Sequence, residues 1–388
     1  MRGTVGLWAT WLISRALLVL VPAGARHTGH DVQVYAAWSK IILRTGFPVD
    51  PRWQYPPLAA PIMVAPRLIP FLGYAEAFVL LALAADLAVM ALLLRRGARP
   101  VGAWTWTVGL FLLGTVVHLR YDLFVTAFAV AALLALPRKG LFGALAGVGA
   151  MLKVWPVLLL LGLGRDRGSL KAVLAFAAVV AAVLVGGWLY DPGQLGFLGG
   201  QRDRGLEIEA VAVTPWQVAR LFGHETKIVH EYGCAQFAIP GAWTLGLVCQ
   251  LATLLGLALV AYLSWRRDSG TCPADVALAA TLVCIVTSRV LSPQYLIWVV
   301  GLGAVAMTYH RTRQGPVVVM ILIAAALTQL VFPIGWDGLQ PRDPDALAVL
   351  ALTARNLLLL AATITAVARL RATPLQPVAR RPHLIRQS

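Results

Sequence analysis

Charge is scarce in this chain, and negative charge scarcest. Only 13% of the 388 residues are charged, with 17 Asp and Glu against 33 Lys and Arg. A soluble domain carries about a quarter charged residues and is about half apolar. Here 59% of residues are hydrophobic and the mean hydropathy is +0.76. A soluble globular class is excluded, and length divided by a typical domain size has no meaning. Cysteine is scarce too: Cys234, Cys249, Cys272 and Cys284 form no CxxC, and Cys249 and Cys284 fall in apolar runs. Neither a zinc site nor a disulfide framework is expected. No His, Asp and Glu cluster at ligand spacing, so no metal and no cofactor is expected. The glycine runs are apolar helix packing, not phosphate loops, an absence that fits a donor carried on lipid phosphate and not a soluble nucleotide. No basic stripe interleaved with aromatics sits on a soluble element, so the net charge of +16 points to membrane lipids, not nucleic acid. No internal repeat stands out, which counts against a repeat-built transporter.

What the chain does have is apolar runs near the ~20 residues of a full membrane crossing. An all-α polytopic membrane protein of twelve helices is expected, oriented by its Lys and Arg loops. Residues 1–25 end in Ala23-Gly24-Ala25 like a signal peptide, but the run is long and more spans follow, so an uncleaved first helix is expected over Val5 to Val21. The first outer loop then spans 22–57. The next apolar piece, 58–72, holds Pro61, Pro66, Arg67 and Pro70. Proline breaks a crossing helix, and a full crossing here would put Arg95, Arg96 and Arg99 outside. A juxtamembrane segment satisfies both constraints. A second break is expected at Lys153-Val154-Trp155-Pro156, dividing 140–164 into two short helices, because Pro156 suits a first helical turn and Arg165 to Lys171 then stay inside. A long outer loop covers 190–240. One membrane domain spans 1–371, followed by a basic cytoplasmic tail over 372–388, with both termini inside.

Under this topology the polar clusters share the outer side: Asp31, Arg120 and Asp122, Lys153, Arg202 to Glu209, Arg289 to Gln294, and Asp337. Charge at membrane depth is costly unless paired or solvated, so it marks sites. A carboxylate base with several cations at one interface suits hydroxyl activation and a departing phosphate. Asp31 is the candidate base. Arg120, Lys153, Arg204 and Arg289 are the candidate phosphate ligands, since Arg grips phosphate bidentately and Lys acts as a point charge. Tyr35, Tyr55, Asp122, Glu207, Glu209, Gln294 and Tyr295 are candidate substrate contacts. Each residue has a plainer reading as well. Asp31 fits a helix cap, Arg120 and Asp122 fit a mutual pair, and Lys153 fits snorkelling. Glu207 and Glu209 fit pairs with Arg202 and Arg204, and Arg15 and Arg355 fit structural ion pairs.

The early Asp of the first loop, Tyr55-Pro56-Pro57-Leu58, Arg120-Tyr121-Asp122, Lys153-Val154-Trp155-Pro156, Arg204-Gly205-Leu206-Glu207-Ile208-Glu209 and Ser292-Pro293-Gln294-Tyr295-Leu296-Ile297-Trp298 together resemble glycosyltransferase family 87. The family's actinobacterial members are polyprenyl-phosphate-mannose-dependent α-(1,2)-mannosyltransferases. The resemblance implies the GT-C fold, a bacterial plasma-membrane location, an extracytoplasmic active site and a first-loop catalytic Asp, which maps onto Asp31. The implied partners are a polyprenyl-phosphate-sugar donor and a lipid or glycan acceptor. Mannoside-extending members carry a histidine in a later outer loop where this chain has Arg289 and Gln294, which implies a different acceptor or sugar. Two rivals stay open: a lipid-linked sugar flippase using Arg15, Asp86 and Arg355 at depth, and a ligase-like GT-C transferase with another lipid carrier.

Overall fold

The computed structural model describes residues 2–20, 28–48, 50, 52–191, 194–195, 197, 205–231, 233–266 and 272–371. The tail over 372–388, and with it the expected cytoplasmic extension, lies outside them. Helix α1 (Arg2–Leu20) leads to α2 (His30–Thr45) in the first loop. Gly46, at φ 83°, ends α2 in the left-handed region that other residues adopt only with strain. A short helix, α3 (Ala59–Val64), tightens into one further turn over Ala65–Leu68. This piece is too short to cross a bilayer. It buries Ala59, Ala60 and Met63, and leaves Leu68 and Phe71 exposed. Arg67 ties it to α2, donating from Nε to Ser39 Oγ at 2.7 Å and from Nη2 to the Ala36 carbonyl at 2.9 Å.

The bundle proper follows: α4 (Tyr74–Arg96), α5 (Val101–Leu113) with a tight turn to Leu119, α6 (Asp122–Leu134) and α7 (Lys139–Leu152). The chain breaks after Leu152, as the sequence predicts, and resumes as a tight helix over Trp155–Gly162. Helix α8 (Arg167–Tyr190) starts at Asp166, whose side chain accepts the Ser169 N–H at 2.9 Å. After the second loop come α10 (Ala242–Trp265), α11 (Pro273–Val286), α12 (Tyr295–Thr308), α13 (Gly315–Gln329) and, past the short α14 (Trp336–Leu339), α15 (Ala346–Arg371). Five described helices are long and apolar enough to cross a membrane, and seven shorter apolar ones accompany them. The protein is an integral membrane protein of helical architecture.

The second loop departs from the all-α expectation. It carries α9 (Thr214–Arg220) and a three-stranded antiparallel sheet in the order β1 (Leu206–Glu207), β3 (Cys234–Ala238), β2 (Lys227–Glu231). Gly233, at φ 74°, closes the hairpin. Leu206, Ile208, Val213 and Phe237 bury against Val331, Val349 and Leu352, forming a small core of their own beside the bundle. Five-residue strands carry too weak a period to stand out in so apolar a chain.

Close helix approach sets the geometry that the site uses. A Cβ at Gly301 of α12 would collide with Thr126 Cγ2 of α6. Only glycine lets these two helices meet there. The contact lies about one helical turn from Asp122 on one side and from Trp298 on the other.

Candidate active site

One cavity of about 1210 Å³ opens where the first loop, the second loop and the ends of α5, α7 and α11 converge. Residues far apart in sequence line it: Asp31, Tyr35, Tyr55, Arg120, Asp122, Lys153, Glu207, Glu209, Gln294 and Tyr295. Ten of the twelve candidate residues therefore share one space. Arg289 does not line it; its side chain runs over Gly246 of α10, while its carbonyl accepts the Glu207 N–H at 3.0 Å. Arg204 lies outside the described residues.

Two carboxylate–cation pairs organise the cavity. Asp31, in the first turn of α2, has its Oδ2 2.9 Å from Arg120 Nε. Arg120 is itself anchored, donating from Nη1 to the Thr28 carbonyl at 3.1 Å. Asp122, the first residue of α6, accepts on Oδ1 from Lys153 Nζ at 2.7 Å and from Trp298 Nε1 at 2.7 Å. Arg120 and Asp122 thus do not pair with each other. They stand two positions apart across the start of α6, and each turns to a different partner. Asp31 keeps 33% of its side-chain surface exposed, whereas Asp122 keeps 1%. Of these two, Asp31 is the open one. Asp50, the other first-loop carboxylate, is taken by Arg52, whose hydrogen bonds hold its carboxyl below the usual range.

Lys153 does not snorkel to a surface. Its ammonium sits 5.1 Å from the Tyr121 ring, 5.3 Å from Tyr295 and 4.9 Å from Trp298. Ring faces and one carboxylate together surround this cation. Tyr295 stacks on Trp298 at 4.1 Å, and Trp298 on Trp155 at 5.3 Å, giving one aromatic wall. Tyr35 packs edge-on against Tyr55 and Tyr121 on another side. Burial, and then the Asp31 charge, push its hydroxyl well above the ordinary value. Trp155, Trp298, Tyr121, Phe332 and Trp336 also line the cavity without having been singled out as site residues. For Trp298 a signal existed: it stands three positions after Tyr295 on the same helix face.

The remaining acids and the depth charges have partners of their own. Glu207 accepts from Ser292 Oγ at 3.4 Å. Glu209 is buried against Arg355, with 2.5 Å between Oε2 and Nη1 and a further bond from Arg355 Nη2 to the Glu209 carbonyl at 3.0 Å. Arg15 donates from Nε to Asp86 Oδ2 at 2.7 Å. The Asp86 carboxylate also accepts from Trp11 Nε1 at 3.1 Å and Trp106 Nε1 at 2.8 Å, with His118 Nε2 at 3.1 Å. Arg15, Asp86 and Arg355, the three charges on which a flippase path rests, are closed on protein partners.

Compared with known proteins, the chain matches the profile of glycosyltransferase family 87 over residues 53–293, more than half its length. No curated protein and no solved structure matches it. The matched span includes Tyr55, Arg120, Asp122, Lys153, Glu207 and Glu209, and begins downstream of Asp31.

Proposed function

The chain belongs to glycosyltransferase family 87, and from that premise we propose that it moves a sugar, mannose, from polyprenyl phosphate to a lipid or glycan hydroxyl on the extracytoplasmic face. It is a membrane glycosyltransferase; the donor, the acceptor class, the side and the mechanism are the proposal. The supporting observation is the contrast between two of the cavity carboxylates: Asp31 and Asp122 each have a cation beside them, but Asp31 keeps 33% of its side chain exposed and Asp122 1%.

In the proposed step Asp31 takes the proton of the acceptor hydroxyl as that oxygen attacks the anomeric carbon. The new C–O bond forms on the face opposite the phosphate, so the configuration inverts. The bond between the anomeric carbon and the phosphate oxygen breaks, and polyprenyl phosphate leaves with the electron pair. Arg120 and Lys153, which line the same cavity, hold that charge in this reading. Phosphate departs without a proton, so one carboxylate suffices, unlike the pair that glycosidases use. The sugar fits against the aromatic wall of Tyr295, Trp298 and Trp155. The prenyl chain fits along Val34, Ile41 and Val154, of which Ile41 and Val154 are also open at the protein surface.

The test is transfer of labelled mannose from synthetic polyprenyl-phosphate-mannose to membrane-lipid acceptors by purified protein, for wild type and Asp31→Asn. Loss of transfer in the variant, with an inverted linkage in the wild-type product, supports the reading. Equal transfer by both removes Asp31 as the base. No transfer from any lipid-linked donor, together with movement of the lipid across vesicles, replaces the transferase by a flippase.

A further inference from the structure

The helices that reach the cavity carry a second cavity at their far ends. Helix α5 begins just after Arg99, α12 ends at Thr308 just before Arg313, and Arg369 lies in the last turn of α15. These three arginines, with Met307, Thr312, Gly315 and Pro316, line a depression of about 590 Å³. All three are half-buried. Among the described residues no carboxylate forms an ion pair with any of them. Asp275 of α11, close to the depression, is already engaged: it accepts the Thr312 hydroxyl at 2.7 Å and the Arg313 backbone N–H at 3.3 Å. Arg369 donates to the Arg313 carbonyl at 2.8 Å, which fixes two of the three arginines relative to each other.

Three partly desolvated cations around one hollow repel each other and have lost hydration, so the arrangement favours an anion between them. Guanidinium groups match phosphate oxygens. The walls indicate what carries the phosphate. Met307 and Pro316 are apolar, and Pro316, Val319 and Ile323 follow one another at helical spacing along α13, all exposed. A phosphate seated on the arginines would leave acyl chains lying down that apolar face. We propose that this depression binds the phosphate group of an anionic membrane phospholipid, at the end of the bundle opposite the active site. Basic hollows between membrane helices suit such headgroups. The site does not depend on the transferase reading, and its test does not measure transfer.

The experiment uses the full chain, purified and delipidated in zwitterionic detergent, with short-chain phosphatidylglycerol as the probe and thermal unfolding and native mass spectrometry as readouts. Short-chain phosphatidylcholine and inorganic phosphate serve as comparison ligands. The wild type is expected to retain phosphatidylglycerol and to unfold at higher temperature with it. Arg99→Gln/Arg313→Gln is expected to bind it about 25-fold more weakly, a factor of about five per arginine. Among the described residues neither altered side chain takes part in an ion pair, so the ligand-free melting temperature of the variant should match wild type. Arg95→Gln/Arg96→Gln removes two exposed charges near the same end and should leave affinity within about twofold. Equal loss in both double variants would reduce the effect to general surface attraction and overturn the site. Equal binding of phosphatidylcholine, or a full stabilising shift from inorganic phosphate alone, would overturn the anionic-lipid assignment.

Discussion

Asp31 and Asp122 face one cavity, and each is held by a cation contributed from elsewhere in the chain, Arg120 at 2.9 Å and Lys153 at 2.7 Å. The two pairs differ in what else surrounds them. Asp122 is sealed by Trp298 and has 1% of its side chain exposed, while Asp31 keeps a third of its surface. A base must reach the proton it removes, and a buried carboxylate already bonded to an ammonium and an indole does not.

The first expected outcome follows from that contrast. Asp31→Asn should lower kcat for sugar transfer by about 10²–10⁴-fold, the usual contribution of a general base, with little change in donor KM. Label transfer under saturating donor reads it. Retention of kcat would mean that another group takes the proton.

Asp122 should act through Lys153. Lys153→Gln is expected to reduce kcat/KM for the lipid-phosphate donor by about 10²–10³-fold, the scale for losing one preorganised charge on a developing anion. Asp122→Asn should also impair donor use, because it frees the ammonium from its place among the rings. The double variant should lose little more than the worse single one, since the residues serve one function. Additive losses in that cycle would show that the two act independently.

The Arg15–Asp86 pair should matter to folding and not to transfer. Removing Arg15 (Arg15→Met) leaves a carboxylate buried with two indoles and a histidine, and breaking a buried pair costs about 3–5 kcal/mol. Thermal unfolding in detergent should show the drop, while the fraction that remains folded transfers sugar at the wild-type rate. Arg15→Met/Asp86→Leu should recover only part of the stability, because Trp11 and Trp106 then lose their acceptor. A full recovery would mean that the indole bonds contribute nothing.

Helix approach at Gly301 gives a structural check on the site. Gly301→Ala should cost about 1–3 kcal/mol by overpacking against Thr126. It should also weaken the Trp298–Asp122 bond that lies about a turn away, and so reduce transfer. Adding Thr126→Ser removes the opposing methyl and should restore both readings. Unchanged melting in Gly301→Ala would show that the helices can part there at no cost.

The amino-acid sequence alone determined what depends on local composition. Long apolar runs require a membrane as solvent, whatever they pack against. The proline-rich 58–72 stretch and Lys153 to Pro156 mark interruptions because proline removes a backbone donor wherever it stands, and the structure breaks its helices at both. Most candidate site residues were also visible, since a polar group in an apolar chain stands out one position at a time. Partnership was a different matter, and only the tertiary structure decided it. Arg120 and Asp122 looked like a pair and turn apart; Glu209 looked toward Arg202 and Arg204 and finds Arg355, 146 positions away. Arg289 proved to lie over α10, and the sheet formed where a loop was expected. Ion pairs between distant residues depend on which helices meet and how closely. In this chain that is set by contacts such as Gly301 on Thr126, which leave no trace in local hydropathy.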